Sequence, residues 1–241
     1  MNQPEANFCG KYRVSCSACS LKELCLPRGL SAENITQLES VIKRRRPVNK
    51  GEYLYHMDDP CHSLFTVRSG SVKSLVLDNN GVEQVVGFHL PGELFGLDGL
   101  ETDTHSCSAI ALEPASVCEL PLDQIDKLYS SIPGLGYQIN RLIGKEVASD
   151  HEMLMLLGKK DARKRLSNFL INLSKRFRER GFSEKEFNLS MSRKDVGNYL
   201  GLALETVSRQ LSLFQESGVI TVKRRQIIVH DMERLKAIST E

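Results

Sequence analysis

The sequence predicts an α+β chain: an N-terminal β-roll, or jelly roll, then a long helix, then a C-terminal winged helix-turn-helix. Three observations predict it. Residues 48–121 hold short apolar runs broken by Gly51, Gly70, Gly81, Gly87, Gly92, Gly96 and Gly99, a spacing that suits many short strands. Residues 131–157 hold an apolar stripe at steps of three and four, which is a helical period. Residues 192–229 read as a capped helix, a glycine turn, a second helix and two short strands around a basic tip.

A chain of 241 residues is long enough for two domains with separate cores. Its 41% hydrophobic and 26% charged content is ordinary for a soluble globular protein. No apolar run reaches the roughly 18 residues that a membrane span needs, and the polar first dozen residues lack the apolar region of a secretory signal. A cytoplasmic protein is therefore expected. There its seven cysteines stay reduced, and ligation is a better use for them than disulfides. The net charge of +2 is unevenly placed. Residues 159–241 hold 18 Lys and Arg against 10 Asp and Glu, so they carry +8 and the remainder −6. A basic C-terminal third suggests that only this part meets a polyanion. No nucleophile–base motif and no glycine-rich phosphate loop is present, so an enzyme is not expected.

Taken in order, the first feature is Cys16-Ser17-Ala18-Cys19 with Cys25 following, a Cys-x2-Cys-x5-Cys spacing. Short loops of this kind let three thiolates face one centre, with a fourth ligand supplied from far along the chain. Spacing alone leaves open a cluster, a small zinc knot or a pair of structural thiols. Residues 30–46 read as a helix capped by Ser31, with Glu33 in its first turn and Ile35, Leu38 and Ile42 as its apolar stripe. Lys43-Arg44-Arg45-Arg46-Pro47 is read as the basic end of that helix, favoured by the dipole and stopped by proline. Residues 64–67, 72–77 and 85–88 read as strands, with Asn79-Asn80-Gly81 at a hairpin turn.

Ser131 is the expected cap of the long helix, with Pro133 in its first turn and Gly158 at its end. Ile139, Ile143, Val147, Asp150, Leu154 and Leu157 form a narrow seam of the coiled-coil kind. The seam is read as a homodimer interface; packing on the chain's own β-roll is the other use of such a face. Residues 161–180 form a further amphipathic helix. Ser192 and Asp195 make a capping box, Gly197 permits close helix crossing and Gly201 makes the turn. Gly218 ends the second helix, and strands at 219–222 and 226–229 flank Lys223-Arg224-Arg225. Glu205, Thr206, Ser208 and Arg209 occupy the first turns of the second helix, which enters the major groove of double-stranded DNA in this motif. Arg209 suits a guanine edge and Glu205 a cytosine amino group, while Lys223 and Arg224 suit phosphates.

Sensory roll, long helix and winged helix-turn-helix in this order resemble the CRP/FNR family of transcription regulators, with a cyclic-nucleotide-binding-like roll. Residues 14–26, Gly87-Phe88-His89-Leu90, Cys118-Glu119-Leu120-Pro121 and Gly197-Asn198-Tyr199-Leu200-Gly201-Leu202 are similar to its oxygen-sensing FNR branch. The resemblance implies a [4Fe-4S] cluster held by Cys16, Cys19, Cys25 and Cys118, with Cys9, Cys61 and Cys107 outside the ligand set. It also implies a homodimer that reads palindromic TTGAT-type sites through Glu205, Ser208 and Arg209. RNA polymerase is the implied protein partner, and genes of anaerobic metabolism are the implied targets. The chain divides accordingly into a cysteine segment (1–30), a sensory roll (31–130), a dimerisation helix (131–158) and a DNA-binding domain (159–241).

The cyclic-nucleotide branch fits less well. Pro91-Gly92-Glu93-Leu94-Phe95-Gly96 keeps its scaffold, but Leu97-Asp98 stands near its glutamate, and Cys107-Ser108-Ala109 puts cysteine where its phosphate-binding arginine belongs. A buried phosphate without its cation is costly, so no cyclic nucleotide is expected. Two other readings stay open: a zinc-stabilised regulator using the same four cysteines, and a haem- or nitric-oxide-responsive relative that would not need them.

Overall fold

The structure is a computed structural model that describes residues 14–44, 47–78 and 80–240. Cys9, Arg45, Arg46 and Asn79 lie outside the described residues, and with Asn79 part of the expected hairpin turn.

The N-terminal half opens with the helix α1 (Ala32–Val41), whose Ser31 cap accepts from the Asn34 N–H as expected. Eight strands follow: β1 (Lys43–Arg44), β2 (Tyr53–Tyr55), β3 (Ser63–Ser69), β4 (Val72–Leu77), β5 (Glu83–His89), β6 (Leu94–Phe95), β7 (Ser108–Ala111) and β8 (Ser116–Pro121). They form two antiparallel four-stranded sheets, in the orders β1-β8-β3-β6 and β2-β7-β4-β5. Leu54, Phe65, Val67, Val72, Phe95, Ala109 and Val117 from both sheets make the core between them, so the expected roll is present.

One basic stretch is not where the sequence put it. The helix stops at Val41, Ile42 turns extended, and Lys43–Arg44 leaves as β1 along β8. Pairing with Cys118 and Glu119 gives this backbone a ladder that a prolonged helix would forgo.

The connection between the halves also differs from expectation. Ser131 does not cap the long helix; it is the last residue of a short helix, α2 (Ile125–Ser131). Gly134, with φ 87°, adopts the left-handed conformation that lets the chain reverse into α3 (Leu135–Lys159). Gly158 lies inside α3, not beyond its end. Leu26, Leu38, Leu64, Leu94, Leu120, Leu128, Ile132, Leu135, Ile139 and Leu142 form one core. That core binds the cysteine segment, α1, the roll and the start of α3 into a unit.

The C-terminal half contains α4 (Ala162–Glu179), β9 (Glu186–Asn188), α5 (Arg193–Leu200), α6 (Leu204–Glu216), β10 (Ile220–Lys223), β11 (Gln226–Val229) and α7 (Met232–Thr240). The capping box of Ser192 and Asp195 starts α5, and Gly201 ends it with φ 62°. A Cβ on Gly197 would stand 2.6 Å from the Leu202 carbonyl oxygen, so only glycine admits this turn. The wing is a three-stranded sheet, because β9 adds to β11. Neither β9 nor α7 is foreseen from the sequence, although Met232, Leu235 and Ile238 recur at helical steps.

Candidate metal centre and nucleic-acid interface

Residues 14–30 run as a series of tight turns, with Cys19 N–H on the Cys16 carbonyl (3.3 Å), Lys22 N–H on Cys19 (3.2 Å) and Arg28 N–H on Cys25 (3.3 Å). Leu26 anchors the segment at 2% exposure, and Leu24 packs against Gly92 of the roll. These turns and contacts hold the backbone of the three cysteines beside the roll. Cys118 comes up from the middle of β8 to meet them. Cys16, Cys19, Cys25 and Cys118 line one small cavity, closed by Leu26, Pro27, Ile42, Thr66 and Leu120.

This cavity disfavours free thiolates. Burial pushes the Cys16 thiol up to about 11, with Glu39 and Cys118 adding to the effect. Burial lifts Cys25 to about 12 despite hydrogen bonds from the Leu26 backbone and the Thr66 hydroxyl. Cys118 is also raised by burial, against the pull of Arg44 and Arg68. Four soft sulfur donors in an apolar pocket fit a cationic centre that would take them as thiolates. Among the described residues no group of three or more His, Cys, Asp or Glu is placed to hold a metal ion. Two neighbours escape sequence reasoning. Thr66 and Arg44 both stand opposite Cys118 in register, one from β3 and one from β1, and only the sheet pairing reveals them.

Cys61 and Cys107 lie elsewhere, buried inside the roll. The Cys61 thiol donates to the Gly96 carbonyl, and Cys107 sits beside Tyr55.

The residues expected to face DNA lie on α6 and at the β10–β11 tip. Val207, Leu211 and Phe214 bury one face of α6, which turns Glu205 and Arg209 out to solvent and leaves Thr206 and Ser208 half-buried. Lys223 and Arg224 are exposed at the β10–β11 tip, where Arg224 takes φ 57°. Arg193, unnoticed in the sequence, donates to the Ser208 hydroxyl at 3.3 Å and adds an exposed cation beside α6.

The α3 seam is divided. Ile139 is 2% exposed within its own protomer's core and Ile143 packs against that core, so these two serve the roll. Val147 is 47% exposed and Leu154 68%, Asp150 is exposed between them, and Leu157 is half-buried near Gly201. An outward apolar face therefore begins about three turns into the helix.

The family model of the cyclic nucleotide-binding domain matches residues 45–131, and that of the Crp-like helix-turn-helix domain matches residues 164–238. Over 227 residues the chain is 47% identical to the transcriptional activator protein anr of Pseudomonas aeruginosa, covering 94% of this chain and 93% of that protein. It is 43% identical to the fumarate and nitrate reduction regulatory protein of Yersinia pestis, with 95% and 92% covered. Among solved structures, FixK2 from Bradyrhizobium japonicum is 30% identical with a TM-score of 0.75, covering 83% of this chain and 98% of that one. Roll, long helix and helix-turn-helix thus agree with relatives that match along nearly the whole length, and the chain belongs to the CRP/FNR family of transcription regulators.

Proposed function

We propose that this regulator, which is not an enzyme, responds to oxygen through a [4Fe-4S] cluster held by Cys16, Cys19, Cys25 and Cys118. The observation that carries the reading is the meeting of four cysteines from two distant segments around one apolar cavity. Two of the relatives are named for fumarate and nitrate reduction and for anaerobic regulation, which supports genes of anaerobic metabolism as targets. When bound, the cluster supplies a cross-link between the cysteine segment and β8 that oxygen destroys. This chain's own residues do the rest. Leu26 belongs to the core that also holds Leu135 and Ile139, and Cys25 packs against it, so ordering the cysteine segment steadies the start of α3. Val147, Asp150 and Leu154 then form the homodimer contact, and two copies of α6 reach palindromic TTGAT-type half-sites in double-stranded DNA. Bound there, the dimer acts on RNA polymerase.

Cyclic nucleotide has no part in this reading. Asp98 accepts from the backbone N–H groups of Ser106 (2.9 Å) and Cys107 (3.2 Å), and His105 stacks on Tyr55 with ring centroids 3.6 Å apart. These groups fill the roll's interior around position 107, where a phosphate would need a cation. No helix of the described residues is long and apolar enough to cross a membrane, in keeping with a cytoplasmic regulator.

Anaerobic purification and a visible spectrum test the reading. A broad sulfur-to-iron charge-transfer band is expected, lost on exposure to air and absent from alanine variants of Cys16, Cys19, Cys25 or Cys118. Variants of Cys9, Cys61 and Cys107 should keep it. A colourless zinc protein, or a sharp haem band, would overturn the proposal.

A further inference from the structure

Beside the cysteine cavity lies a polar network with no counterpart in the ligand set. Arg44 stands directly opposite Cys118 in the β1–β8 register, so the two side chains share one face of the sheet. Its Nη2 donates to Glu39 Oε1 at 2.7 Å. The other carboxylate oxygen, Oε2, accepts the backbone N–H of Cys16 at 3.0 Å. One carboxylate thus ties a cysteine of the N-terminal loop to a cation on the strand beside the fourth cysteine.

The pair is not a solvated surface bridge. The Arg44 side chain is 20% exposed and that of Glu39 25%. Arg44 Nε is moreover buried with no hydrogen-bond partner among the described residues. A guanidinium N–H withdrawn from water and left unpaired is unfavourable, and native interiors rarely keep one. The nearby groups that would benefit are sulfurs, because a four-thiolate cluster carries net negative charge and its sulfurs accept hydrogen bonds.

We propose that Arg44 is a positioning residue of the cluster site, its Nε–H reserved for a sulfur at the Cys118 corner, while Glu39 fixes the guanidinium and the Cys16 loop together. The inference rests on the cluster reading above. A cation at this corner favours the more negative, reduced form of the centre. Its removal lowers the midpoint potential and makes the centre easier to oxidise. Arg44 and Glu39 therefore set how quickly the regulator loses its cluster in air.

The test uses the full chain, reconstituted anaerobically, as wild type, Arg44→Gln, Arg44→Lys and Glu39→Gln. Iron and sulfide content, midpoint potential and decay of the visible band in air are read for each. Arg44→Gln should load fully, show a lower potential and decay roughly tenfold faster, the factor that one lost charge-assisted hydrogen bond corresponds to. Arg44→Lys keeps the charge but not the fork and should fall between it and wild type; Glu39→Gln should shift the same way as Arg44→Gln, but less. Wild-type potential and decay in a fully loaded Arg44→Gln protein would overturn the inference. Should Arg44→Gln fail to load, Arg44→Lys decides: a lowered potential supports the role and an unchanged one ends it. Failure of both to load supports the role if the apoprotein unfolds at the wild-type midpoint, and overturns it in favour of plain strand stabilisation if that midpoint falls. A wild-type chain that takes up no cluster at all would instead sink the cluster reading.

Discussion

Lys73 Nζ lies 2.7 Å from Asp195 Oδ1, and this contact fastens the DNA-binding domain to the roll. Asp195 also accepts the Ser192 backbone N–H at 2.9 Å, so one carboxylate both caps α5 and holds it against β4. Beside it, Asn198 Nδ2 donates to the Glu83 carbonyl at 2.5 Å and Asn198 Oδ1 accepts the Val85 N–H. Phe88 packs between Phe169 and Tyr199, which extends the apolar core across the junction. These contacts hold α4 and α5 against the roll.

Burial alone would raise the Asp195 carboxyl, but Lys73 and Ser192 hold it below its usual value. A depressed carboxyl stabilises the fold above its unfolded pKa, and that share is lost as pH falls through the folded one. Lys73→Ala should cost about 1 kcal/mol at neutral pH. In acid the variant and wild type should converge. Urea midpoints at both pH values check this, and a gap that persists in acid would contradict it.

Glu93 is the second junction. Arg176 reaches it through Nε (3.0 Å) and Nη2 (2.5 Å), and Arg180 Nη2 through Oε1 (2.6 Å). Burial opposes ionisation, yet the two guanidiniums and the Leu90 N–H bring Glu93 from 4.5 down to about 2. Its contribution is present above the ordinary carboxylate range and fades as pH drops toward that value. Glu93→Gln leaves buried arginine charge uncompensated and should cost about 3–5 kcal/mol at neutral pH. Chemical denaturation against pH should show wild type losing this advantage between those two pKa values, while the variant's profile stays flatter.

Base reading and phosphate contact separate by salt. Arg209→Ala should weaken a TTGAT-type site by about 1–3 kcal/mol and relax preference chiefly at the guanine. Lys223→Ala or Arg224→Ala should weaken specific and random DNA alike and reduce the salt slope by roughly one. Equal loss on both DNAs for Arg209→Ala would remove it from base reading.

Asp150 sits in the exposed stretch between Val147 and Leu154, where two copies of α3 would bring two carboxylates together. Like charges about 4 Å apart repel by about 1 kcal/mol in water and about 4 at an effective dielectric of 20. Each 1.4 kcal/mol is about tenfold in association, so one residue can keep the dimer near balance. Asp150→Ala should be a dimer in air, without a cluster, and should bind its DNA site there. Sedimentation of that variant decides it; a monomer would refute the balance while leaving the cysteine assignment intact.

The helix-turn-helix was legible because its determinants are local. A capping box reads over four residues, and a left-handed glycine and a close crossing declare themselves within Gly197 to Leu202. The cysteine triplet was legible as spacing, and the roll as alternating short apolar runs. Strand pairing is not local. That Arg44 leaves its helix to stand opposite Cys118, with Thr66 on the other side, follows from registers joining residues 52 and 74 positions apart. The seam shows the same limit: period placed Ile139 and Leu154 on one stripe, but only the packed roll buries the first and leaves the second open. The order of the elements, the helix-turn-helix and the cysteine spacing follow from local sequence. The tertiary structure alone decided what stands beside those cysteines and what Lys73 and Glu93 hold, because burial and pairing partners arise only when distant segments share a core.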